Sequence, residues 1–311
     1  MQINCEKIKK YVQQHILKTT ITYFKPINRG GMSLNFICKT NSKKYIIKAI
    51  NKEKKERIIK LCNILEALKK EPLIYTAHLE TFNNQTFFEY EDKLIIIISY
   101  VKGKKISYLE LSPLVIDSIY NSYKYIAKLD IEVLPQKVLM NIYSENKQIL
   151  GELLKQNKNF IKTKILNAIY KLNESLKTDI SLEKPLKIIH GDASLNNCLV
   201  DDENNVALLD FELMRYGYEI EDWAEFLISS LSQHSILFIP KNRLSQLIGY
   251  TNTLFNFTKQ EWIYGINLYF LNLLNKRIKS KKLFKSIRKA ALFTLNINKK
   301  RSIYSVLDKI Y

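Results

Sequence analysis

Cysteine is scarce in this chain of 311 residues, and its four copies are scattered rather than paired. Cys5, Cys38, Cys62 and Cys198 show no paired spacing of the kind typical of zinc ligands, and most of their neighbours are apolar. This pattern favours buried thiols over a disulfide framework or a zinc site. We therefore expect a reducing compartment and predict a cytoplasmic protein.

Long apolar runs are also missing. The longest, Leu94–Val101, is far too short to cross a bilayer. Met1–Tyr11 carries charges and has no apolar core, so we expect no secretory signal there. Since 46% of the residues are hydrophobic, the chain has enough apolar material for two sizeable lobes.

Acidic residues are outnumbered, with 30 Asp and Glu against 49 Lys and Arg, which gives a formal net charge of +19. The basic residues are spread along the chain, so we expect no stable nucleic-acid partner. Residues 276–301 are a local exception, with eleven Lys or Arg and no acid. A solvated helical face is the simplest interpretation of that stretch, and a weak contact with an anionic membrane or a nucleic acid is the alternative.

One stretch, 190–225, departs from this basic background. It holds ten acidic residues and a single arginine, a formal charge of −9. Within it, the short apolar runs Cys198–Val200 and Val206–Leu209 flank a segment made almost entirely of turn-forming residues. That arrangement predicts a β-hairpin.

The register of this hairpin decides which polar side chains meet. If residues 202–205 form the loop, Asn197 faces Asp210 at the open end, with both side chains on one face. Hard oxygen ligands suit Mg²⁺, which takes only one or two protein carboxylates when nucleotide phosphates are also bound. We therefore predict Asn197 and Asp210 as metal ligands and Asp192 as the catalytic base that accepts a hydroxyl proton.

The motif as a whole is specific. It consists of His190-Gly191-Asp192, then Asn197, then Asp210-Phe211-Glu212, then Asp222. This series resembles the aminoglycoside phosphotransferase and choline/ethanolamine kinase superfamily. The Asp-Phe-Glu triplet and its distance to Asp222 are similar to the choline/ethanolamine branch, whereas Gly191 is the aminoglycoside-type form.

The resemblance implies an α+β, bilobal, protein-kinase-like fold that uses ATP and Mg²⁺. Three strand-like runs predict an antiparallel meander, and they are Thr20–Arg29, Ser33–Thr40 and Lys43–Ile50. A helix is predicted over Asn51–Lys70, and the pattern is mainly helical after Ser107. We place a nucleotide-binding lobe at 1–101 and a catalytic and acceptor-binding lobe at 102–311.

The first lobe contains the residues expected to bind nucleotide phosphates. Gly30 and Gly31 form the first turn, and Lys48 lies between apolar neighbours on the third predicted strand. An ammonium there is costly without anionic partners, so together with the downstream motif we assign Lys48 as the ATP lysine. Its expected partner is Glu56 in the following helix, with Glu53 as the alternative.

A hinge is expected over residues 99–104, where the apolar run Leu94–Ser99 ends. The resemblance implies that adenine would hydrogen-bond the backbone there, at Tyr100 and Val101. An ordinary strand exit is the alternative.

The acceptor pocket has no motif of its own. Its candidates are carboxylates near Asp210, namely Glu212, Glu219 and Asp222, although Asp222 could equally brace the catalytic loop. Aromatic residues that could face a cationic head group, or could simply be packed, are Tyr216, Tyr218 and Trp223. The surplus of carboxylates favours an acceptor that carries positive charge. His190 is expected to brace the loop through a backbone hydrogen bond.

The sequence therefore predicts an ATP- and Mg²⁺-dependent kinase for the hydroxyl of a small molecule, with a choline-like or ethanolamine-like amino alcohol preferred. A kinase of an aminoglycoside or sugar hydroxyl is the second interpretation. A non-catalytic module that binds a nucleotide or an anionic surface is the third. A protein kinase is disfavoured, because the H-R-D, D-F-G and A-P-E series is missing.

Overall fold

The computed structural model describes most of the chain. The described residues are 5–27, 33–131, 134, 139–156, 166–167, 169–171, 173–174, 176, 182–234, 241–279 and 303–311. Gly30 and Gly31 lie outside these ranges, as does the basic stretch 276–301 beyond the last turn of one helix.

Strands in the described residues fall into one large sheet and two small pairs. Their bounds are β1 (Ile21–Ile27), β2 (Ser33–Thr40), β3 (Lys44–Asn51), β4 (Phe88–Tyr90), β5 (Lys93–Ser99), β6 (Lys187–Ile189), β7 (Cys198–Val200), β8 (Val206–Leu208) and β9 (Arg215–Gly217). The large sheet has the order β1-β2-β3-β5-β4 and every neighbouring pair is antiparallel. The predicted meander of the first three strands is confirmed.

Helices surround this sheet and form most of the chain after it. Their bounds are α1 (Cys5–Tyr11), α2 (Lys55–Lys69), α3 (Pro113–Ile126), α4 (Leu139–Gln156), α5 (Glu219–His234), α6 (Lys241–Phe255) and α7 (Lys259–Lys279). Residues 303–310 are also helical. A π-helical turn, Val12–Leu17, continues α1, and a 3-10 turn, Lys52–Lys54, leads into α2.

Both faces of the five-stranded sheet are covered. Successive residues of a strand point to opposite faces, and the apolar β5 serves both: Ile97 packs with α1, whereas Ile96 packs with α2. α1 contributes Ile8 to the first face, and α2 contributes Ile58 to the second. Lys48 stands on the central strand β3, between Asn35 of β2 and Ile96 of β5.

The helical region is built around α5 and α7. A Cβ on Gly265 of α7 would lie 2.8 Å from both the Cβ of Ala224 and the carbonyl oxygen of Ile220 in α5. Such a distance is too short for any side chain, so glycine is needed for this close approach of the helices. Trp223 of α5 is almost fully buried, and its ring packs edge-on against Tyr123 of α3.

The predicted hairpin is present as β7 and β8, but its register differs by one residue. Leu199 faces Ala207, whereas a loop of residues 202–205 would have set it opposite Leu208. The loop includes Asp201, whose carboxylate accepts the backbone N–H of Glu203 and of Asn205, each at 2.9 Å. These bonds fix a five-residue turn, so Asn197 faces Leu209 and the predicted pairing of Asn197 with Asp210 is wrong.

The hairpin is hydrogen-bonded to two segments of the chain. One lies between α2 and β4, and the other follows β5. Val200 and Lys104 exchange two backbone hydrogen bonds of 2.9 Å, and the hydroxyl of Thr76 donates to the carbonyl of Leu208 at 2.6 Å. These contacts place the hairpin beside the segment that leads from β5 into the helical region.

The architecture confirms the predicted α+β class, with an antiparallel sheet followed by a mainly helical region. One apolar core runs from α2 to the helix 303–310, so the two regions share packing. The boundary between residues 101 and 102 stays a prediction. Of the cysteines, Cys38, Cys62 and Cys198 are buried as free thiols, and burial raises the pKa of Cys198 to about 12.

None of the helices in the described residues is both long enough and apolar enough to cross a membrane.

Candidate active site

Lys48 is a buried cation on β3 that contacts the segment directly after the hairpin. The residue is only 8% exposed, and its ammonium lies 3.2 Å from Oδ1 of Asp210 and 2.7 Å from Oε1 of Glu212. Burial by itself would lower the pKa of Lys48, but the two carboxylates outweigh that effect and the pKa is raised. The side chain is therefore a cation held by anionic partners, as expected for a lysine in this place.

Asp210 has an unusual backbone conformation. Its φ of 66° and ψ of 58° are left-handed, at the point where β8 ends and the 3-10 turn Phe211–Leu213 begins. Aspartate tolerates this region better than most residues, yet a non-glycine residue there carries some strain. The result is a carboxylate that remains 47% exposed while it contacts Lys48.

Asn197 is bonded through its backbone to Leu209, the residue before Asp210, and through its side chain to Asp192. The N–H of Leu209 donates to the carbonyl of Asn197 at 2.8 Å. The amide nitrogen of Asn197 donates to the carbonyl of Asp192 at 2.8 Å and to its Oδ2 at 3.0 Å. Because the amide nitrogen is used in this way, the amide oxygen of Asn197 is the atom left to bind a cation.

The oxygen atoms of Asn197 and Asp210 suit a magnesium ion that is also bound by phosphates. The oxygen atoms of Asn197 and Asp210 are hard ligands, the kind that Mg²⁺ prefers. Within the described residues, no group of three or more His, Cys, Asp or Glu could hold a metal by itself. A cation here would need further oxygen ligands from phosphates and water, as Mg²⁺ at nucleotide sites usually does.

The loop that carries Asp192 is braced from below by α5. The carboxylate of Asp222 accepts the backbone N–H of His190 at 2.7 Å and that of Gly191 at 2.8 Å. Burial raises the pKa of Asp222, while His190 and these N–H donors act against that rise. Asp222 is 3% exposed, and both of its oxygens accept hydrogen bonds from this loop. It therefore braces the loop, as the alternative prediction had it, and is not a residue of the acceptor pocket.

His190 contributes to the same brace. Its Nε2 lies 2.9 Å from the carbonyl of Leu209, and its Nδ1 accepts the backbone N–H of Asp192 at 3.3 Å. These two partners assign the tautomer with the proton on Nε2. The imidazole therefore ties the catalytic loop to the hairpin, as the sequence predicted.

Glu212 and Glu56 do not have the positions expected of them. Glu56 is exposed, whereas the ammonium of Lys48 contacts Asp210 and Glu212 on the other side of the cleft. Glu212 also lies 3.0 Å from the guanidinium of Arg57. The predicted Lys48–Glu56 pair is thus replaced by Lys48–Glu212, and Glu212 belongs to the lysine network rather than to an acceptor pocket.

The other nearby carboxylates also have partners inside the protein. Glu219 lies 2.9 Å from the ammonium of Lys187, and Glu221 lies 2.6 Å from the guanidinium of Arg215. Burial raises the pKa of Glu221, and Arg215 acts against the rise. The carboxylate surplus that favoured a cationic acceptor is therefore largely used for structure.

An apolar cluster adjoins the predicted hinge. Val101 packs with Ala77 and with Ala207 of β8. The N–H of Tyr100 donates to the carbonyl of Lys44 at 3.3 Å, which continues the ladder of the sheet by one residue. The side chains of Val101, Ala77 and Ala207 are buried, and the hydrogen bonding of adenine by Tyr100 and Val101 stays a prediction.

Sequence reasoning missed Arg57. The residue lies in the first turn of α2, where the helix dipole disfavours a cation. Lys55 is a second cation in the same turn, so the charge alone does not distinguish Arg57.

The kind of reaction at this site follows from the protein family of the chain. The sequence model of the phosphotransferase enzyme family matches residues 24–237, which include Lys48, Asp192, Asn197 and Asp210. The chain belongs to this family. It is accordingly a phosphotransferase. No match was found among curated proteins.

Solved structures of phosphotransferases share the fold at low sequence identity. A spectinomycin phosphotransferase in complex with ADP and spectinomycin has a TM-score of 0.67 and 14% identity, covering 94% of each chain. An amicoumacin kinase in complex with AMP-PNP, Ca²⁺ and Ami has a TM-score of 0.65 and 11% identity, covering 98% of this chain and 93% of that one. A proposed fructosamine-3-kinase of Haemophilus somnus has a TM-score of 0.59 and 12% identity, covering 96% of each chain. The kinase-like fold is confirmed.

Proposed function

We propose that this phosphotransferase is an ATP- and Mg²⁺-dependent kinase that phosphorylates a hydroxyl group of a small molecule. The observation that carries the proposal is the ion pair between Lys48 and Asp210, 3.2 Å apart, which joins the sheet of the first lobe to the hairpin of the second. Asn197 and Asp192 lie beside it in a hydrogen-bonded pair. A buried cation next to exposed hard-oxygen donors is what a metal-bound triphosphate requires.

The nucleotide would lie between the sheet and the hairpin. Lys48 would hold the phosphates, together with the backbone of Gly30 and Gly31, and adenine would lie beside Val101. Because Lys48 also contacts Glu212, it would keep a carboxylate partner if Asp210 bound a metal ion.

Asn197 and Asp210 would be the protein ligands of Mg²⁺, which, when bound, orients the phosphates and neutralises part of their charge. Solved structures that share this fold contain AMP-PNP and Ca²⁺ or ADP, which supports a nucleotide and a divalent cation as ligands.

Asp192 would act on the acceptor. Its Oδ2 is already bonded by the amide of Asn197, which leaves Oδ1 to accept the proton of the acceptor hydroxyl. The hydroxyl oxygen then forms a bond to the terminal phosphorus, the bond from that phosphorus to the bridging oxygen breaks, and ADP leaves. Braced by Asp222 and His190, the loop holds the carboxylate in a fixed position before the acceptor arrives.

Two classes of acceptor remain in competition. A choline-like or ethanolamine-like amino alcohol was preferred because of the local carboxylates, but Glu212, Glu219 and Asp222 are paired within the protein. The kinases of spectinomycin and amicoumacin support an aminoglycoside or sugar hydroxyl at least as well. We therefore propose a polyhydroxylated compound or an amino alcohol, without preference for a cationic head group.

The experiment is acceptor-dependent ADP formation from ATP and Mg²⁺, screened across choline, ethanolamine, other amino alcohols, sugars and aminoglycosides. We expect at least one acceptor to stimulate ADP release and to form a phosphomonoester, and we expect Asp192→Asn to abolish the stimulation. Tight nucleotide binding with no stimulation by any acceptor would instead support a non-catalytic nucleotide-binding module.

A further inference from the structure

We infer that Arg57 is a positioning residue of the nucleotide site. Its guanidinium holds Glu212, and Glu212 in turn holds the ammonium of Lys48, so α2 acts on the lysine through an arginine and a carboxylate from the opposite lobe. This inference rests on the proposed nucleotide-dependent function.

The charged groups form a continuous chain. Nη2 of Arg57 lies 3.0 Å from Oε2 of Glu212, and the other oxygen of Glu212 lies 2.7 Å from Nζ of Lys48. Lys48 then contacts Asp210 at 3.2 Å. Each oxygen of Glu212 contacts one cation. The side chains of Glu212 and Lys48 are 11% and 10% exposed, so water screens the contact between them only weakly, whereas Arg57 is 30% exposed.

Local helix rules do not explain an arginine at this position. Arg57 is the third residue of α2, in the turn where the positive end of the helix dipole favours acidic residues. Glu56, the residue that satisfies this preference, faces solvent. The same turn holds a second cation, Lys55, which lies 3.8 Å from the exposed Glu89, whereas Arg57 contacts the buried side of the site through Glu212.

The charge balance shows what Arg57 contributes. Arg57 and Lys48 together match Glu212 and Asp210, so the four groups have no net charge. Without Arg57 the same set carries one negative charge facing the site of a polyanionic nucleotide. Glu212 would also lose the contact that fixes its carboxylate. The ammonium of Lys48 would then be positioned by Asp210 alone. We therefore expect Arg57 to act mainly on nucleotide affinity.

A second tie between the same elements provides a matched control. Lys60 lies one turn further along α2, and its ammonium donates to the backbone carbonyl of Met214 at 3.1 Å. Met214 closes the 3-10 turn that contains Glu212. Lys60 therefore docks α2 onto this turn without touching the carboxylate, so the two substitutions separate docking from positioning.

The test measures KM for ATP and kcat in Arg57→Gln, Arg57→Lys, Lys60→Gln, Glu212→Gln and the double variant Arg57→Gln/Glu212→Gln. Affinity for Mg–AMP-PNP is measured by calorimetry in the same proteins. We expect Arg57→Gln to weaken nucleotide binding and raise KM by about 3- to 100-fold, with a smaller effect on kcat. Arg57→Lys should recover part of the loss, and Arg57→Gln should add little once Glu212 is neutral.

Three results would overturn the inference. They are an unchanged nucleotide affinity in Arg57→Gln, an equal loss in Lys60→Gln, and fully additive effects in the double variant. The calorimetric measurement needs no acceptor. If the wild-type protein binds nucleotide but phosphorylates nothing, the proposed reaction is wrong, and the binding data still decide the role of Arg57.

Discussion

The carboxylate of Asp222 accepts the backbone N–H of His190 at 2.7 Å, although the two residues lie 32 positions apart in the chain. The same carboxylate accepts the N–H of Gly191 at 2.8 Å. The first turn of α5 thereby holds the loop that presents Asp192. A fully buried acid is used here as a backbone anchor, which explains why it is placed beneath the site and not inside it.

Asp222→Asn should make the free energy of unfolding less dependent on pH. Burial raises the pKa of this carboxyl above its ordinary value of 3.8, against the opposing effects of His190 and the N–H donors. The folded chain therefore keeps a proton that the unfolded chain has already lost. The contribution to stability is greatest below the unfolded pKa and declines as pH rises through the folded pKa.

Urea unfolding at a series of pH values above about 4 checks this prediction. The wild-type protein should lose stability with rising pH more steeply than Asp222→Asn. Parallel curves for the wild type and Asp222→Asn would show that Asp222 ionises in the folded protein as it does in the unfolded chain.

Asp192→Asn should remove turnover and leave nucleotide binding nearly intact. An asparagine keeps an oxygen that can accept the amide N–H of Asn197, so the loop is preserved while the base is lost. The loss of general-base catalysis predicts a decrease in kcat of about 100- to 10,000-fold. Steady-state kinetics combined with nucleotide titration measure the two effects. Turnover within a few-fold of wild type would remove Asp192 from this role.

Asp210→Asn should abolish the gain in nucleotide affinity that Mg²⁺ provides. Asp210 contacts Lys48 and is also a proposed ligand of the metal, so the variant needs a control that disturbs the ammonium of Lys48 without removing a metal ligand. Glu212→Gln is that control, because Glu212 holds the same ammonium at 2.7 Å. Titrations with and without Mg²⁺ should show a loss of about tenfold or more in the metal effect for Asp210→Asn alone. A metal effect that survives in Asp210→Asn would assign the ligand elsewhere.

Patterns local in sequence predicted much of this molecule correctly. β2 begins and ends where alternating and turn-forming residues indicated, and the apolar run of β5 and the helix α2 are also confirmed. The hairpin was found, but Asp201 used its side chain to lengthen the turn, and a shift of one residue changed which residues face each other. Side-chain hydrogen bonds within a turn are not visible in its residue types alone.

The partners of charged residues were the least predictable feature. Glu56 was paired with Lys48 because of its place along the chain, yet the carboxylate that reaches the lysine comes 164 residues after it. Glu212 and Glu219 looked like an unpaired surplus, and each has a basic partner brought close by the fold. Charge is written in the sequence, but its neutralisation depends on tertiary packing.

Gly191→Ala should destabilise the protein and disable the site together. Gly191 has a φ of 76°, and an added Cβ would lie 2.2 Å from the carbonyl oxygen of Leu213. The left-handed conformation alone costs an alanine roughly 1–2 kcal/mol, and the clash forces the catalytic loop away from the turn that follows Asp210.

Gly151→Ala is the matched control, because its added Cβ meets nothing within 4 Å on the helix α4. That variant should be neutral or more stable by about 0.5–1 kcal/mol, since alanine is the better helix former. Thermal unfolding should show lower stability for Gly191→Ala and equal or higher stability for Gly151→Ala. Turnover, measured on both proteins, should be lost only in Gly191→Ala. A Gly191→Ala variant with wild-type stability and activity would mean that the loop does not need its left-handed residue, and the bracing of Asp192 by Asp222 would then lose its structural basis.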